Sequence, residues 1–540
     1  MNPTEHNIDN NTVLQSAFEL YQAGHREEAK AACLLLLEKQ GDESSILHML
    51  GILCAEEGDF DLAKHYLERA LVIDPEDPNV TLHLANVLKN KNLLIEAEEL
   101  LTALINQYPS FVAAYHNLAN IYFSQEKWEE SVCCYQKAIS LQANYTDAYY
   151  HLGLAFYKAH RIHDAIHTYR ALLELSPAHP GGLFQLGSLL LAQHQYLEAI
   201  YYFKILAKEH PFHFETQVNL GNAYWSLRNK EEAKFHYLKA LEINENDSQV
   251  LFNLGVIAMQ QGKLQESQDF YFKALKIDPD MFSAHNNIGV NFLALKNKAA
   301  AIDHFREALR IEPSNAAVRH LLAVLTHKEG VHTASPAYLT ALFDSYADHY
   351  DTHLRKELHY RVPEEMYAIL QKQMPCEGMQ KTILDLGCGT GLCGEVFKSI
   401  AKTLCGVDLS EKMLQIAADK NIYTELVLGQ VLSFLCDKQA AYDIVLAADV
   451  LVYEGDLSAI FAAVANALLP EGLFIFNTEM TNEKDYIVMD SGRFAHRKAY
   501  IEALTVNHGF SVLQYREIDL RVQDGFPVEG HLYLLQKRSN

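Results

Sequence analysis

Three glycines at alternate positions, Gly387, Gly389 and Gly391, follow the apolar pair Ile383-Leu384 and the acid Asp385. Removing side chains at a strand-to-helix turn lets a ligand approach the backbone. Dinucleotide-binding enzymes place Gly-x-Gly-x-x-Gly at the equivalent turn. Here the third glycine comes one residue early and an acid stands two residues before the first, which suits a cationic ligand better than a pyrophosphate. A second apolar run, Leu404-Cys405-Gly406-Val407, closes on Asp408, 21 residues after Gly387. A carboxylate at that strand end can accept from both vicinal hydroxyls of a ribose; the alternative is a helix cap. After a fourth apolar run stand Asp449 and Tyr453, which either orient or deprotonate a nucleophile or serve as cap and packing residue. The stretch Ser491-Gly492-Arg493-Phe494-Ala495-His496 reads as a loop over the C-terminal strand ends, with Arg493 placed to contact substrate and His496 as the preferred general base.

The glycine run resembles motif I of class I S-adenosylmethionine-dependent methyltransferases, and Asp408-Leu409-Ser410-Glu411-Lys412-Met413-Leu414 matches that family's Asp-x-Ser-x-x-Met-Leu run. The resemblance implies S-adenosylmethionine as cofactor, held at Gly387, Gly389 and Gly391. It implies that Asp385 holds the methionyl ammonium, directly or through water, the alternative being a turn-forming acid, and that Leu409 and Met413 pack on the adenine ring. Where the family usually has Gly-Asp, this chain has Gly429-Gln430 before Val431. A glutamine carbonyl can also accept from the adenine amino group, more weakly than a carboxylate. Enzymes of the family that methylate exocyclic or amide nitrogens carry Asn/Asp-Pro-Pro-Tyr/Phe after the fourth strand; its absence here counts against adenine or glutamine as acceptor. Residues 343–351 resemble the N-terminal lid of methyltransferases acting on small or lipophilic substrates. On a helix, Tyr346 and Tyr350 would present one aromatic face to the sulfonium; the alternative is an ordinary amphipathic packing helix.

The elements that must position these residues are read from the apolar pattern. Short runs at 382–386, 404–408, 425–429, 442–448 and 472–477 alternate with helical segments, and 511–520 and 531–537 flank a turn-rich stretch, Gln523-Asp524-Gly525-Phe526-Pro527. Five β/α units followed by a hairpin predict an open, mostly parallel, Rossmann-like sheet over 338–540. Upstream, residues 10–315 overlay themselves at a shift of 34. A small column reads Ala17, Gly51, Ala85, Ala119, Gly153, Gly187, Gly221, Gly255 and Gly289, and a large one follows at Cys33, Leu67, Leu101, Tyr135, Tyr169, Phe203, Tyr237, Tyr271 and Phe305. Small residues fit where the two helices of a hairpin cross, and large ones where the hairpin packs on its neighbour. Pro75, Pro109, Pro177, Pro211, Pro279 and Pro313 stop the second helices. Nine such copies resemble the tetratricopeptide repeat and predict an all-α solenoid, with a capping helix and linker over 316–333.

In repeats of this kind the face carrying Asn117, Asn219, Asn253 and Asn287 lines the groove, and asparagine both donates to and accepts from a peptide backbone. The resemblance therefore implies a protein or peptide partner; the alternative is that asparagine simply tolerates an exposed helical position. His160, His163 and His167 are spaced for one helical face, but no carboxylate or cysteine completes a metal set, and no metal is expected. Bacterial tetratricopeptide-containing methyltransferases share the lid, motif I and the Ser-Gly-Arg-aromatic-Ala-His run.

The 540 residues carry a formal charge of −24 and no block of five basic residues, so nucleic-acid binding by phosphate neutralisation is disfavoured. Neither a signal-peptide pattern nor an 18-residue apolar run is present, and the nine cysteines are scattered, so a cytoplasmic protein without a membrane span is expected. Three functions follow as expectations: a methyltransferase whose repeats recruit a partner or acceptor; an adaptor with an inactive methyltransferase domain, favoured by Gln430; and a small-molecule methyltransferase whose repeats serve assembly, favoured by the lid.

Overall fold

The computed structural model describes residues 10–326, 332–373, 380–489, 491–523 and 526–539. The chain forms two compact units, one ending at Val250 and the other running from Leu251 to Asn540. The first is built of antiparallel helix pairs, from Asn10–Gln22 with Arg26–Gln40 to Phe214–Ser226 with Lys230–Ile243. Each punctuating proline stands two residues past a second helix, as Pro177 does after Ile162–Leu175. A ring without an N–H cannot extend the ladder there. Between the helices of a pair the chain reverses through one left-handed residue, at Gly24, Gly58, Asn92, Glu126, His160, His194 and Arg228 in this unit. His160 is thus outside the helix Ile162–Leu175 that carries His163 and His167, and the three histidines do not share a helical face.

The small column meets the large column of its own hairpin, not of the neighbouring one. A Cβ built on Gly153 would lie 2.6 Å from the Tyr169 ring, on Gly187 2.7 Å from Phe203, and on Gly221 2.5 Å from Tyr237. Tyr169, Phe203 and Tyr237 are buried, so the rings fill the space that the missing side chains leave. Gly153→Ala is therefore expected to cost about 1–3 kcal/mol by overpacking. The Tyr169 hydroxyl has no partner among the described residues. Adding Tyr169→Leu should recover much of the loss, because Ala85 and Leu101 already form that pair in another repeat. Thermal melts of the two single variants and the double variant measure the coupling.

The second unit continues the repeat helices through Lys298–Ile311 and the capping helix Ala316–Thr326. The lid helix Pro336–Tyr346 follows, and the expected helix over 343–351 breaks at Ala347 into short 3₁₀, α and π turns. Among the described residues nine strands come next: β1 Lys381–Leu386, β2 Ala401–Asp408, β3 Glu425–Leu428, β4 Tyr442–Ala447, β5 Leu468–Met480, β6 Tyr486–Val488, β7 Phe494–His496, β8 Phe510–Gln523 and β9 Phe526–Lys537. The strands β3, β2, β1, β4 and β5 lie side by side and parallel; β9 joins β5 antiparallel, and β8 pairs antiparallel with β9. Two apolar layers cover the sheet, one around Phe461, Phe474 and Phe476, the other around Met366, Phe397 and Ile475. The stretch 491–496, expected as a loop, contains β7, which pairs with β6 and, through Ala495 and His496, with the end of β5. Three-residue strands are too short for a period-two pattern to reveal. Residues 524 and 525 of the expected turn lie outside the described residues.

One side of the capping helix packs Val318 and Leu325 around Phe305 of the preceding repeat. The other faces the sheet and lid: Val324 meets Val488 and Phe494, and the His320 ring stacks on Tyr338 at 4.3 Å. No helix among the described residues is long and apolar enough to cross a membrane.

Candidate functional site

A cavity of about 400 Å³ opens beyond the ends of β1, β2 and β4. Gly387 and Gly389 line it from the turn after β1, with Asp408, Leu409 and Met413 after β2 and Gln430 and Val431 after β3. The turn requires glycine: Gly387, Gly389 and Gly391 have φ of +60°, +53° and +96°, the left-handed region that side chains disfavour. A Cβ on Gly387 would also lie 2.4 Å from Val450. Gly391 does not reach the cavity; it precedes the helix Leu392–Phe397 and faces the Tyr423 ring, 3.1 Å from where a Cβ would stand.

Asp408 is held by the backbone it follows. Its Oδ2 accepts from the Gly389 N–H and its Oδ1 from the Ser410 N–H, both at 2.9 Å. Burial raises its carboxyl, and these backbone bonds oppose the rise. The next helix, Glu411–Asp419, is capped by Ser410 through the Met413 N–H, which removes the cap reading of Asp408. Asp385 lies apart from the main cavity, in a small adjoining one that shares Tyr350, Gly387, Gly389 and Ala448 with it. It is 1% exposed and accepts from the Tyr423 hydroxyl at 2.6 Å. Burial pushes its carboxyl up to about 7; the Tyr423 hydrogen bond opposes this and the nearby Asp408 adds to it.

The lid supplies Pro336, Leu339, Phe343 and Tyr350 to the wall. Two acids fasten it to the sheet: Asp344 accepts from Ser410 Oγ at 2.5 Å, and Asp351 accepts from Thr390 and pairs with Lys420 at 2.6 Å. Tyr350 lines both cavities, whereas Tyr346 lines neither and packs edge-on against Tyr350. The kink at Ala347 breaks the helical register that would have put the two rings on one face.

Beside the cavity lies a buried charge network that the sequence did not reveal. Arg493 Nη2 donates to Asp449 Oδ2 at 2.7 Å and its Nε lies 2.7 Å from Glu479. Arg521 donates to Glu479 at 2.7 Å and lies 3.8 Å from Asp449. Asp449 adopts φ +58°, fixed by a reciprocal pair of 2.8 Å bonds with the Asn477 side chain. Burial would raise the Asp449 carboxyl, but Arg493, Arg521 and Asn477 together hold it below the usual range. An acid so paired is a poor proton acceptor, so Asp449 lines the cavity as an anchor for Arg493 and not as a base. Arg493, expected to contact substrate, instead stands behind the wall with its guanidinium over the Tyr453 ring at 5.2 Å. Tyr453 does line the cavity, its ring edge-on to Phe343 at 5.6 Å.

His496 is not at the cavity. It is fully buried in β7, with Nε2 donating to the carbonyls of Glu454 and Gly455 at 3.0 and 3.1 Å. Burial pushes its imidazole down to about 4. It ties β7 to the segment after β4 and cannot serve as the general base. Sequence reasoning missed Glu454 and Thr333, which line the cavity, because no motif marks either position.

The asparagine column is partly engaged within the protein. Asn219 Nδ2 reaches Ser188 Oγ at 3.5 Å; Asn287 Nδ2 donates to the Tyr271 hydroxyl at 3.1 Å and its Oδ1 accepts from Asn286. Asn117 and Asn253 are half-buried.

The sheet order, the glycine turn and the strand-end Asp408 define the C-terminal part as a class I methyltransferase fold. A family model described as a methyltransferase domain matches residues 383–472, and models described as tetratricopeptide repeats match 55–121, 119–159, 150–214, 214–247, 248–281 and 271–316. The chain is a tetratricopeptide-repeat protein with a C-terminal methyltransferase domain. It is 31% identical over 114 residues to the ubiquinone biosynthesis O-methyltransferase of Thiobacillus denitrificans, covering 20% of this chain and 48% of that protein. With the enzyme of the same description from Hydrogenovibrio crunogenus it is 34% identical over 112 residues, 20% of this chain and 46% of the other. The chain thus spans about half the length of these curated relatives. Among solved structures, MamA of Desulfovibrio magneticus is 18% identical over 32% of this chain and 96% of its own, with a TM-score of 0.30. A SAM-dependent methyltransferase from Methanosarcina mazei is 17% identical over 32% and 99%, with a TM-score of 0.28.

Proposed function

We propose that the C-terminal domain transfers a methyl group from S-adenosylmethionine to an acceptor admitted at the lid side of the cavity, and that the repeats bind a protein or peptide partner that delivers or positions that acceptor. The observation that carries the reading is Asp408, whose carboxylate oxygens are each fixed by one backbone N–H beside the glycine turn. Their remaining lone pairs suit a ribose diol. The other wall residues fit the rest of the cofactor: Leu409, Met413 and Val431 offer apolar surface for adenine, Gln430 an amide for its amino group, Tyr350 a ring for a sulfonium, and the buried Asp385 a partner for an ammonium. Bound S-adenosylmethionine would supply an electrophilic methyl group. The protein's part is to align the acceptor with it and exclude water, which Leu339, Phe343 and Tyr453 favour by closing the cavity with apolar surface. The O-methyltransferase relatives agree with an oxygen acceptor.

The second reading, an adaptor with an inactive domain, draws on Gln430, whose Oε1 already accepts from Ser433 Oγ at 3.3 Å. Calorimetric titration with S-adenosylmethionine separates the two, since absence of binding would leave only the adaptor. The same titration carries a pH prediction. An ammonium partner favours the ionised Asp385, whose carboxyl sits at about 7 in the free protein, so binding should release a proton below that pH. Affinity is expected to rise as pH increases through about 7. It should fall again once the ligand's own α-amino group deprotonates near about 8. Asp385→Asn should flatten the acid limb; a limb that survives this change would detach it from Asp385.

A further inference from the structure

Glu454 lies on the cavity wall in the segment after β4. Among the described residues, the cavity wall contains three carboxylates, Asp408, Asp449 and Glu454. The first is held by backbone N–H groups and the second by two arginines. Glu454 has no ion pair among the described residues, and Thr333, which faces it across a β-bridge, donates its hydroxyl to the Ala334 carbonyl at 3.2 Å. Its backbone is fixed on three sides: the His496 Nε2–H donates to its carbonyl at 3.0 Å, its N–H donates to Leu451, and it forms a β-bridge with Thr333. Leu339 and Phe343 of the lid cluster with Ala334 and Tyr453, the chain neighbours of Thr333 and Glu454, and Pro336 lines the same cavity.

Resting on the reading of the domain as a methyltransferase, we propose that Glu454 is the general base, and that the acceptor is a neutral hydroxyl on a compact, apolar body. A carboxylate in an apolar wall disfavours an anionic acceptor and favours a group that can donate a proton to it. In the transfer the acceptor O–H bond breaks and its proton goes to a Glu454 carboxylate oxygen. The oxygen lone pair forms the new O–C bond, and the electron pair of the breaking S–C bond returns to sulfur. Burial raises the Glu454 carboxyl, with the nearby Thr333 opposing the rise, and a raised carboxyl is a stronger proton acceptor than an ordinary one. The titratable groups around it are His332 and Asp456 on the adjoining segments, Tyr453 beside it with Arg493 behind, and the buried His496 beneath its backbone.

The test uses the full chain with tritiated-methyl S-adenosylmethionine and an extract of the source cell as the acceptor pool. Wild type, Glu454→Gln and Glu454→Asp are compared across pH. The expected product is extractable into organic solvent from acid and stable to mild alkali, as a methyl ether is. Glu454→Gln should bind S-adenosylmethionine as wild type does, transfer methyl at least about a hundredfold more slowly, and lose the acid limb of the pH–rate profile. Glu454→Asp should keep the limb. Difference infrared spectroscopy on the free protein should find a carboxyl that titrates above the usual carboxylate range and disappears in Glu454→Gln. An alkali-labile ester or a cationic amine as product, a Glu454→Gln variant with wild-type rate and limb, or absence of the titrating band would overturn the assignment while leaving methyl transfer intact. A wild-type protein that binds S-adenosylmethionine but labels nothing in the extract would remove the transfer reading itself, and this assignment with it.

Discussion

Asp408→Ala is expected to weaken S-adenosylmethionine binding by at least about a hundredfold, with the fold intact. The carboxylate makes two demands at once: it orders the Gly389 and Ser410 N–H groups and presents its remaining lone pairs to a ribose. Charge-assisted hydrogen bonds of this kind contribute about 1.5–3 kcal/mol each, and two lost together give roughly 3–6 kcal/mol. Asp408→Asn should fall between, because its amide keeps one acceptor oxygen and offers donors where the backbone N–H groups already point. Calorimetry reads the affinity, and a thermal melt without ligand reads the fold. Unchanged affinity in Asp408→Ala would detach the cavity from nucleoside binding.

Arg493→Leu is the change expected to cost most stability in the C-terminal unit. It would leave Asp449 and Glu479, 9% and 7% exposed, with one arginine between them. Removing one partner of a buried ion network costs about 3–5 kcal/mol, because the charge left behind is desolvated and uncompensated. For a unit of this size that corresponds to a fall in Tm on the order of 10 °C. Arg493→Lys should recover only part, since an ammonium cannot reach Asp449 and Glu479 with the guanidinium's fork. Adding Asp449→Asn to Arg493→Leu should recover more, by removing the orphaned charge. A melt indistinguishable from wild type would show that the network contributes little to stability. Because Asp449 and Tyr453 line the cavity, the same variants should also weaken methyl transfer beyond what their stability predicts.

The repeats were legible because their signal is periodic and local. A glycine and a ring 16 residues later recur in five of the copies, and the structure seats each ring against its own glycine. The sheet was legible because each central strand is buried on both faces and reads as a short apolar run. The short hairpin of β6 and β7 was not legible, and with it went the reading of His496 as an exposed base. A sequence gives a histidine's chemistry but not its solvation, and burial against two carbonyls turned this one into a structural donor. The lid was legible as a helix but not as a broken one, and that kink separates Tyr346 from the cavity that Tyr350 lines.

By itself the sequence determined the helical repeats, the alternation of strands and helices ending in a hairpin, and the glycine turn with its strand-end acid. Those features depend on residues within one turn, one hairpin or one strand of each other, where backbone conformation and side-chain size act directly. Only the tertiary structure decided which ionisable groups face the cavity. Arg493 and Asp449 are 44 residues apart and Arg521 and Glu479 are 42 apart, and they meet only once the segments after β4 and before β7 come together with β5 and β8. Pairing and desolvation fix which acid is neutralised, which histidine is inert and which carboxylate is left to take a proton. All three depend on neighbours that the chain brings together only after it has folded.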